Sequence, residues 1–270
     1  MSTQSPKYFY ATDSWDESAW LDVVSVEYES LVSAYPFNTK LREISQEGQL
    51  RLLDVGCGSA IFPQYLDRSL AEGTHLACDL IDVSDRSLRQ AHRILSDLEH
   101  FSPGRSIATL IEDLPSALPA AGPHYDAIWA IHSLTTVDLT QMPAVFQHLL
   151  RLLSDHGQLF IYQLTAESSY QSLHRVYRER VSKEVLPFME FEDTERILNS
   201  LRVEYEVVEL RFDHELPRNR PDLVEHYLRK CVLDESVDTH RVFGDFLPRF
   251  ESDGLYRIPQ SVNFISVTKR

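Results

Sequence analysis

The sequence predicts an α/β protein built on a doubly wound, seven-stranded, mostly parallel sheet, with an N-terminal helical cap and a late helical insertion. Three observations lead there. From about residue 49 to 183, short apolar runs alternate with amphipathic stretches, and strands that alternate with helices pair in parallel under helices on both faces. Beyond that, LRVEYEVVELRF and SVNFISVTK alternate apolar with polar residues and flank a helical stretch punctuated by Pro217, Pro221, Pro248 and Pro259, as a hairpin carrying an insertion would. The chain has 270 residues, 43% of them hydrophobic, which suits one large domain with a sizeable core.

The elements follow in order. Residues 14–35 read as a helix: Ser14 and Glu17 have capping-box spacing ahead of Trp20, Val23, Val24, Tyr28, Leu31 and Val32, and Pro36 ends the run. QLRLLDVGCGSA is an apolar run stopped by two glycines, a buried strand turning into a helix over 60–71. HLACDLID is the second strand; SDRSLRQAHRILSDL is its helix, with Ser84 as N-cap and Leu88, Ala91, Leu95 and Leu98 on one face. A weaker strand is expected at SIATLIED, a strong one at YDAIWAIHSL, then a helix over 139–154, the strand QLFIYQL and a helix over 168–183. The expected division is a cap over 1–48, a core over 49–212 and 260–270, and an insertion over 213–259.

Charge narrows the partners. There are 26 basic and 41 acidic residues, a net −15, which argues against nucleic acid or an anionic membrane and suits a neutral or cationic small molecule. Nothing approaches an apolar membrane span of about 20 residues, and MSTQSPKYFY is not a signal peptide, so a cytoplasmic monomer or homodimer is expected. Cys57, Cys78 and Cys231 form neither a C-x-x-C pair nor a ligand cluster; free thiols and no metal are expected.

The sharpest motif is Asp54-Val55-Gly56-Cys57-Gly58-Ser59-Ala60, set between a strand and a helix. Glycines there let a ligand approach the backbone. A dinucleotide fingerprint needs Gly or Ala where this chain has Ile61, so a dehydrogenase is disfavoured. LLDVGCGSA resembles motif I of the class I S-adenosylmethionine-dependent methyltransferases, with Ala60 in place of the last glycine. That resemblance implies a Rossmann-like methyltransferase fold and cofactor contacts from Asp54, Gly56, Cys57 and Gly58. It also implies an acid after the second strand that takes the ribose hydroxyls, a task a carboxylate performs by accepting two hydrogen bonds. Asp79 lies 21 residues after Gly58 and Asp82 lies 24 after it; DVSDRSLRQA is similar to the family's D-x-S-x-x-x-L-x-x-A and favours Asp82, with Ser87 close by. Glu112 and Asp113, ending the third expected strand, and Ile131, ending the fourth, complete the expected cofactor site. Cys57 is read as a small loop residue, because displacement at a sulfonium needs no covalent enzyme intermediate.

On the acceptor side, His132 follows the fourth strand, where an imidazole could orient an amine or take its proton. The stretch from Tyr125 through Val181, with the ending YRIPQSVNFISVTK, resembles the histamine N-methyltransferases, which implies acceptor contacts from Gln260 and from an acid of the N-terminal helix. Asp13, Asp16 and Glu17 are the candidates for that acid. Tyr8, Phe9, Tyr10 and Trp15 lie ahead of the helical stripe and could cap a cationic acceptor. Tyr162 and Gln163, ending the fifth strand, are expected to line the same pocket. The leading expectation is N-methylation of a small amine or imidazole-type metabolite. An O-methyltransferase, or a silent cofactor-binding protein of the same fold, are the alternatives.

Overall fold

The computed structural model describes residues 17–45, 49–121 and 124–269, the side chains of 17–20 and 22 excepted. Among the described residues eight strands form one sheet: β1 (Gln49–Val55), β2 (His75–Asp82), β3 (Phe101–Ala108), β4 (Tyr125–Ile131), β5 (Leu153–Leu164), β6 (Glu204–Pro217), β7 (Glu251–Ser252) and β8 (Leu255–Thr268). Their order is β3-β2-β1-β4-β5-β8-β6, with two-residue β7 added against β8. The first five are parallel, as helical crossovers require, while β8 runs antiparallel between β5 and β6. This is the doubly wound, mostly parallel sheet that the sequence predicts.

Strand alternation sends side chains into two cores. On one face Leu52, Trp129, Phe160 and Phe264 meet α1 (Glu17–Ala34), α2 (Phe37–Ile44), α3 (Ile61–Asp67), α4 (Asp85–Asp97), α7 (Ser169–Arg180) and α9 (Pro221–Val232). On the other, Leu53, Ile128, Ile161 and Val267 meet α5 (Leu114–Ala117), α6 (Met142–Leu152) and α8 (Phe191–Leu201). Both cores seal the sheet and leave the carboxyl ends of β1, β2, β4 and β5 at one rim.

Several elements depart from the sequence reading. The third strand starts at Phe101, not Ser106, and takes in Pro103 and Gly104. It is an edge strand, where a proline need not donate to a ladder, and the register shift between Cys78 and Leu80 absorbs the irregularity. Glu112 and Asp113 therefore lie in a 3-10 turn, Ile111–Asp113, rather than at a strand end. The helices α2 and α8 were not expected; α8 opens with a capping box in which Glu190 and Asp193 reciprocate. The expected 60–71 helix ends at Asp67. β6 and β8 pair without a break from Glu204↔Thr268 to Pro217↔Leu255, so residues 213–217 and 255–259 are strand rather than helical insertion. Between them lie α9, α10 (Thr239–Phe243) and a 3-10 turn, Leu247–Phe250. Among the described residues no helix is long and apolar enough to cross a membrane.

Candidate active site

The turn after β1 is held from below. The N–H groups of Gly56 and Cys57 both donate to the Ile81 carbonyl, at 2.8 and 2.9 Å. Gly56, Gly58 and Ala60 have φ of +72°, +51° and +60°, a left-handed path that glycine follows without strain. Asp82 ties the turn to the next strand: its Oδ2 accepts from Gly58 N at 2.9 Å and its Oδ1 from Ser84 N at 2.8 Å. Thr109 N donates to the Asp82 carbonyl, which brings the segment holding Glu112 and exposed Asp113 alongside. Ser87 serves the helix start, its N–H donating to Ser84 Oγ at 3.2 Å.

The two competing acids are now separated by geometry. Asp79 accepts from Arg105 N, from the Arg105 guanidinium and from Tyr125 Oη, all within 2.7 to 3.0 Å, and so joins the sheet edge. Asp82 stands at the turn. Burial pushes its carboxyl above the usual range, opposed by the backbone N–H groups it accepts. Burial also carries Asp54 up to about 7, with the Trp129 indole opposing and the Asp82 charge adding to the rise. Among the described residues neither Asp54 nor Asp82 has a lysine or arginine partner. Cys57 is buried in the turn, and desolvation raises its thiol far above the ordinary range, which removes it as a nucleophile.

At the neighbouring strand end, Ile131 is buried and His132 takes φ +59°, an uncommon conformation for a residue with a Cβ. It faces an unexpected partner. Glu27, from the middle of α1, is 3% exposed and places Oε2 2.6 Å from His132 Nε2 and Oε1 2.7 Å from His214 Nε2. Tyr162 Oη donates to the same Oε2 at 2.9 Å. Both are close charge contacts, and neither imidazole nitrogen is aligned as a hydrogen-bond donor to the carboxylate. Burial alone would push Glu27 up; His132 and His214 outweigh it and hold the carboxyl well below its ordinary range. The His132 ring lies 4.2 Å from Tyr162 and 5.6 Å from Tyr28, centre to centre, and Tyr28 stacks on Tyr65 at 5.4 Å.

A second layer backs this cluster. His214 Nδ1 lies 2.9 Å from Tyr227 Oη on α9, Gln260 Nε2 donates to Tyr227 Oη at 3.3 Å, and Gln260 Oε1 accepts from Ser168 Oγ at 2.5 Å. Gln260 is thus buried behind the cluster and connects to His132 through Tyr227, His214 and Glu27. Gln163 requires a correction. Successive strand residues face opposite ways, so Tyr162 points to Glu27 while Gln163 lies across the sheet, donating to the Met189 carbonyl at 2.6 Å. Tyr8, Phe9, Tyr10, Asp13, Trp15 and Asp16 lie outside the described residues; Glu17 opens α1, and its side chain is likewise not described. The acid that α1 brings to His132 is Glu27. Its signal was present in the sequence, as a charged residue within the stripe Val23, Val24, Tyr28, Leu31. His214 and Tyr227 were also missed. Among the described residues, no group of three or more His, Cys, Asp or Glu side chains is arranged to hold a metal.

The family described as "Methyltransferase domain" matches residues 29–209. No curated protein matches in sequence. Solved structures share the fold. A Bacillus halodurans protein described as a methyltransferase superposes with a TM-score of 0.57 at 13% identity, over 87% of this chain and 98% of the other. The plantazolicin methyltransferase BpumL, solved with S-adenosylhomocysteine, gives 0.54 at 14% identity over 98% and 95%. A Thermotoga maritima protein described as an S-adenosylmethionine-dependent methyltransferase, and as a possible histamine N-methyltransferase, gives 0.53 at 14% identity over 98% and 100%.

Proposed function

The chain belongs to the methyltransferase-domain family, and on that premise we propose that it transfers a methyl group from S-adenosylmethionine to a nitrogen of a small amine or imidazole-type acceptor. The residues present suit that cofactor. Among the described residues, buried Asp54 and half-buried Asp82 stand at one glycine turn with no cationic side chain opposite them, which fits a ligand carrying positive charge and a diol. Asp82 would take the ribose, Gly56 and Gly58 would let the ligand lie against the backbone, and Ile131, Glu112 and Asp113 would border it. When bound, the cofactor supplies an electrophilic methyl carbon on a sulfonium.

The observation that carries the acceptor side is Glu27, a buried carboxylate 2.6 Å from a strand-end histidine beside the cofactor turn. Gly56 and Ser133 are in contact: a Cβ on Gly56 would fall 2.3 Å from Ser133 Cβ, so His132 is one residue from the turn. Its ring is positioned to take a proton from an acceptor nitrogen, and Glu27 stabilises the imidazolium that results. Tyr28, Tyr65 and Tyr162 supply aromatic faces on which a flat or cationic acceptor could rest. Most of the remaining catalytic contribution is alignment, with the attacking lone pair held about 3 Å from the methyl carbon.

We further assign α1 and the segment between β6 and β8 to the acceptor wall, since they contribute Glu27 and Tyr227. The three cysteines are free and buried, as suits a reducing, cytoplasmic setting. A second reading has support in the same cluster: a His–Glu pair is also a base for a phenol, which would make the enzyme an O-methyltransferase. Incubation with methyl-labelled S-adenosylmethionine and parallel panels of amines, imidazoles and phenols, read by mass spectrometry, separates the two. Label on phenols alone moves the assignment to oxygen. Cofactor binding with no labelled product across all panels would leave a silent binding protein.

A further inference from the structure

We propose that a hollow at the rim opposite the cofactor turn is a binding site for a small organic anion, an apolar body carrying a phosphate or carboxylate head. The site shares no residue with the turn or with the Glu27 cluster, and so it stands apart from the methyl-transfer reading.

The first five strands are parallel, so their starts gather at the rim away from Gly56 and Gly58. There Tyr125 and Leu153, the first residues of β4 and β5, stand side by side, and antiparallel β8 ends next to them with Thr268 paired to Gln158 and Glu204. The helices α6 and α8 run down to the same rim, ending at Leu152 and Leu201. Between these ends lies a hollow of about 560 Å³. Its wall is apolar at Leu150, Leu201 and Val203, each partly buried against the core, and cationic at Arg151, Arg202 and Lys269. A space of that size suits a small organic molecule.

The charge of this wall runs against the chain. The sequence carries a net −15, and its arginines elsewhere take carboxylates, as Arg105 takes Asp79 and Arg229 takes Glu225. Among the described residues Arg151, Arg202 and Lys269 pair with no Asp or Glu. Helix ends favour cations, which explains the sign of Arg151 in the last turn of α6, and Lys269 Nζ donates to the Leu153 carbonyl at 2.7 Å. Arg202 is not explained in that way. It closes α8 at φ +56°, a left-handed conformation that glycine adopts without a Cβ to accommodate, and in its place stands a guanidinium beside the hollow. Three cations without an acid of their own, over an apolar wall, match a negative head whose body turns inward. Guanidinium forks hold pairs of phosphate or carboxylate oxygens, and salt screens the chain's distant acids beyond about 8 Å at physiological ionic strength.

The test titrates octyl phosphate into the full chain, with calorimetry for affinity and backbone amide signals for location. The amides of Leu150, Arg202 and Val203 should shift and those of Gly56 and Gly58 should not; the reverse, or no binding, overturns the proposal. Inorganic phosphate lacks the apolar body and octylammonium reverses the head, so each should bind more weakly by about tenfold or more, and equal binding by either overturns the proposal. Octanoate should compete with octyl phosphate; binding of both at once overturns it. Arg151→Gln and Arg202→Gly should each weaken octyl phosphate by about threefold, and the two together by about tenfold, the range of exposed ion pairs. Arg202→Gly also relieves the left-handed residue, so its urea midpoint should hold or rise while affinity falls. Unchanged affinity in the double variant makes the two arginines helix caps alone and overturns the proposal. Saturating S-adenosylhomocysteine should leave octyl phosphate in place; displacement overturns a separate site, whatever becomes of the methyl-transfer reading.

Discussion

Replacing Gly56 by alanine tests how the cofactor turn and the β4 loop are fitted together. Two separate penalties follow from the coordinates. Gly56 has φ +72°, and placing an L-residue in the left-handed region costs roughly 1–2 kcal/mol. The added Cβ would lie 2.3 Å from Ser133 Cβ, an overlap that no rotamer of Ser133 removes, and overpacking of that kind costs about 1–3 kcal/mol. The sum, about 2–5 kcal/mol, is a large part of a typical domain's stability of about 5–15 kcal/mol. Urea denaturation of the parent, Gly56→Ala, Ser133→Ala, Ser133→Gly and both double variants reads the two parts separately. Ser133→Gly removes the clashing atom and should recover the overlap part, leaving only the backbone part. Ser133→Ala keeps that Cβ and should recover nothing. If Gly56→Ala costs less than about 0.5 kcal/mol, or Ser133→Ala rescues as well as Ser133→Gly, the proposed fit between the two loops is wrong.

Three further outcomes are expected. Asp82→Ala should weaken S-adenosylmethionine binding by about 1.5–3 kcal/mol in calorimetry, whereas Asp79→Ala, which breaks the contacts to Arg105 and Tyr125, should lower folding stability and leave affinity nearly unchanged. Asp54, raised to about 7 chiefly by burial, is neutral below that pH and charged above it. A cationic cofactor prefers the charged form, so affinity should climb by up to about tenfold per unit as pH rises towards 7, with proton release, then level off; Asp54→Asn should flatten the curve. His174 on α7 is pushed down to about 3 by burial and by the charges of Arg178 and Arg175, so the fold keeps it neutral while the unfolded chain titrates near 6.5. Its contribution is fully present above pH 6.5 and is lost as pH falls towards about 3, with a slope of up to about 1.4 kcal/mol per pH unit, and denaturation at pH 7, 6 and 5 should show a shallower slope for His174→Phe.

The elements legible in the sequence are those where local signals agree. HLACDLID is β2 as read, and Ser84 caps α4, its hydroxyl accepting from the Ser87 N–H. The third strand was misplaced because Pro103 and Gly104 act as breakers locally, and only membership of a sheet edge makes them harmless. His132 could be placed from the strand it ends. Glu27 could not be assigned, since its burial depends on His132, Tyr162 and His214, three residues that only tertiary folding brings to it. Gln163 was a different kind of error: the alternation already visible in QLFIYQL forbids it from facing the same way as Tyr162.

The place of β8 between β5 and β6 fixes the order in which the molecule can be completed during synthesis. Until residues 255–268 emerge, β5 has a bare outer edge and β6, already made, has nothing in the sheet to pair with. The nascent chain therefore passes through a stage with two unpaired strands, the form most exposed to misassociation and to chaperones. His214 arrives on β6 and Gln260 on β8, so the polar layer behind Glu27 closes only when the gap is filled. A ribosome-bound chain halted before residue 255 would hold the cofactor turn complete and the polar layer behind Glu27 without Gln260.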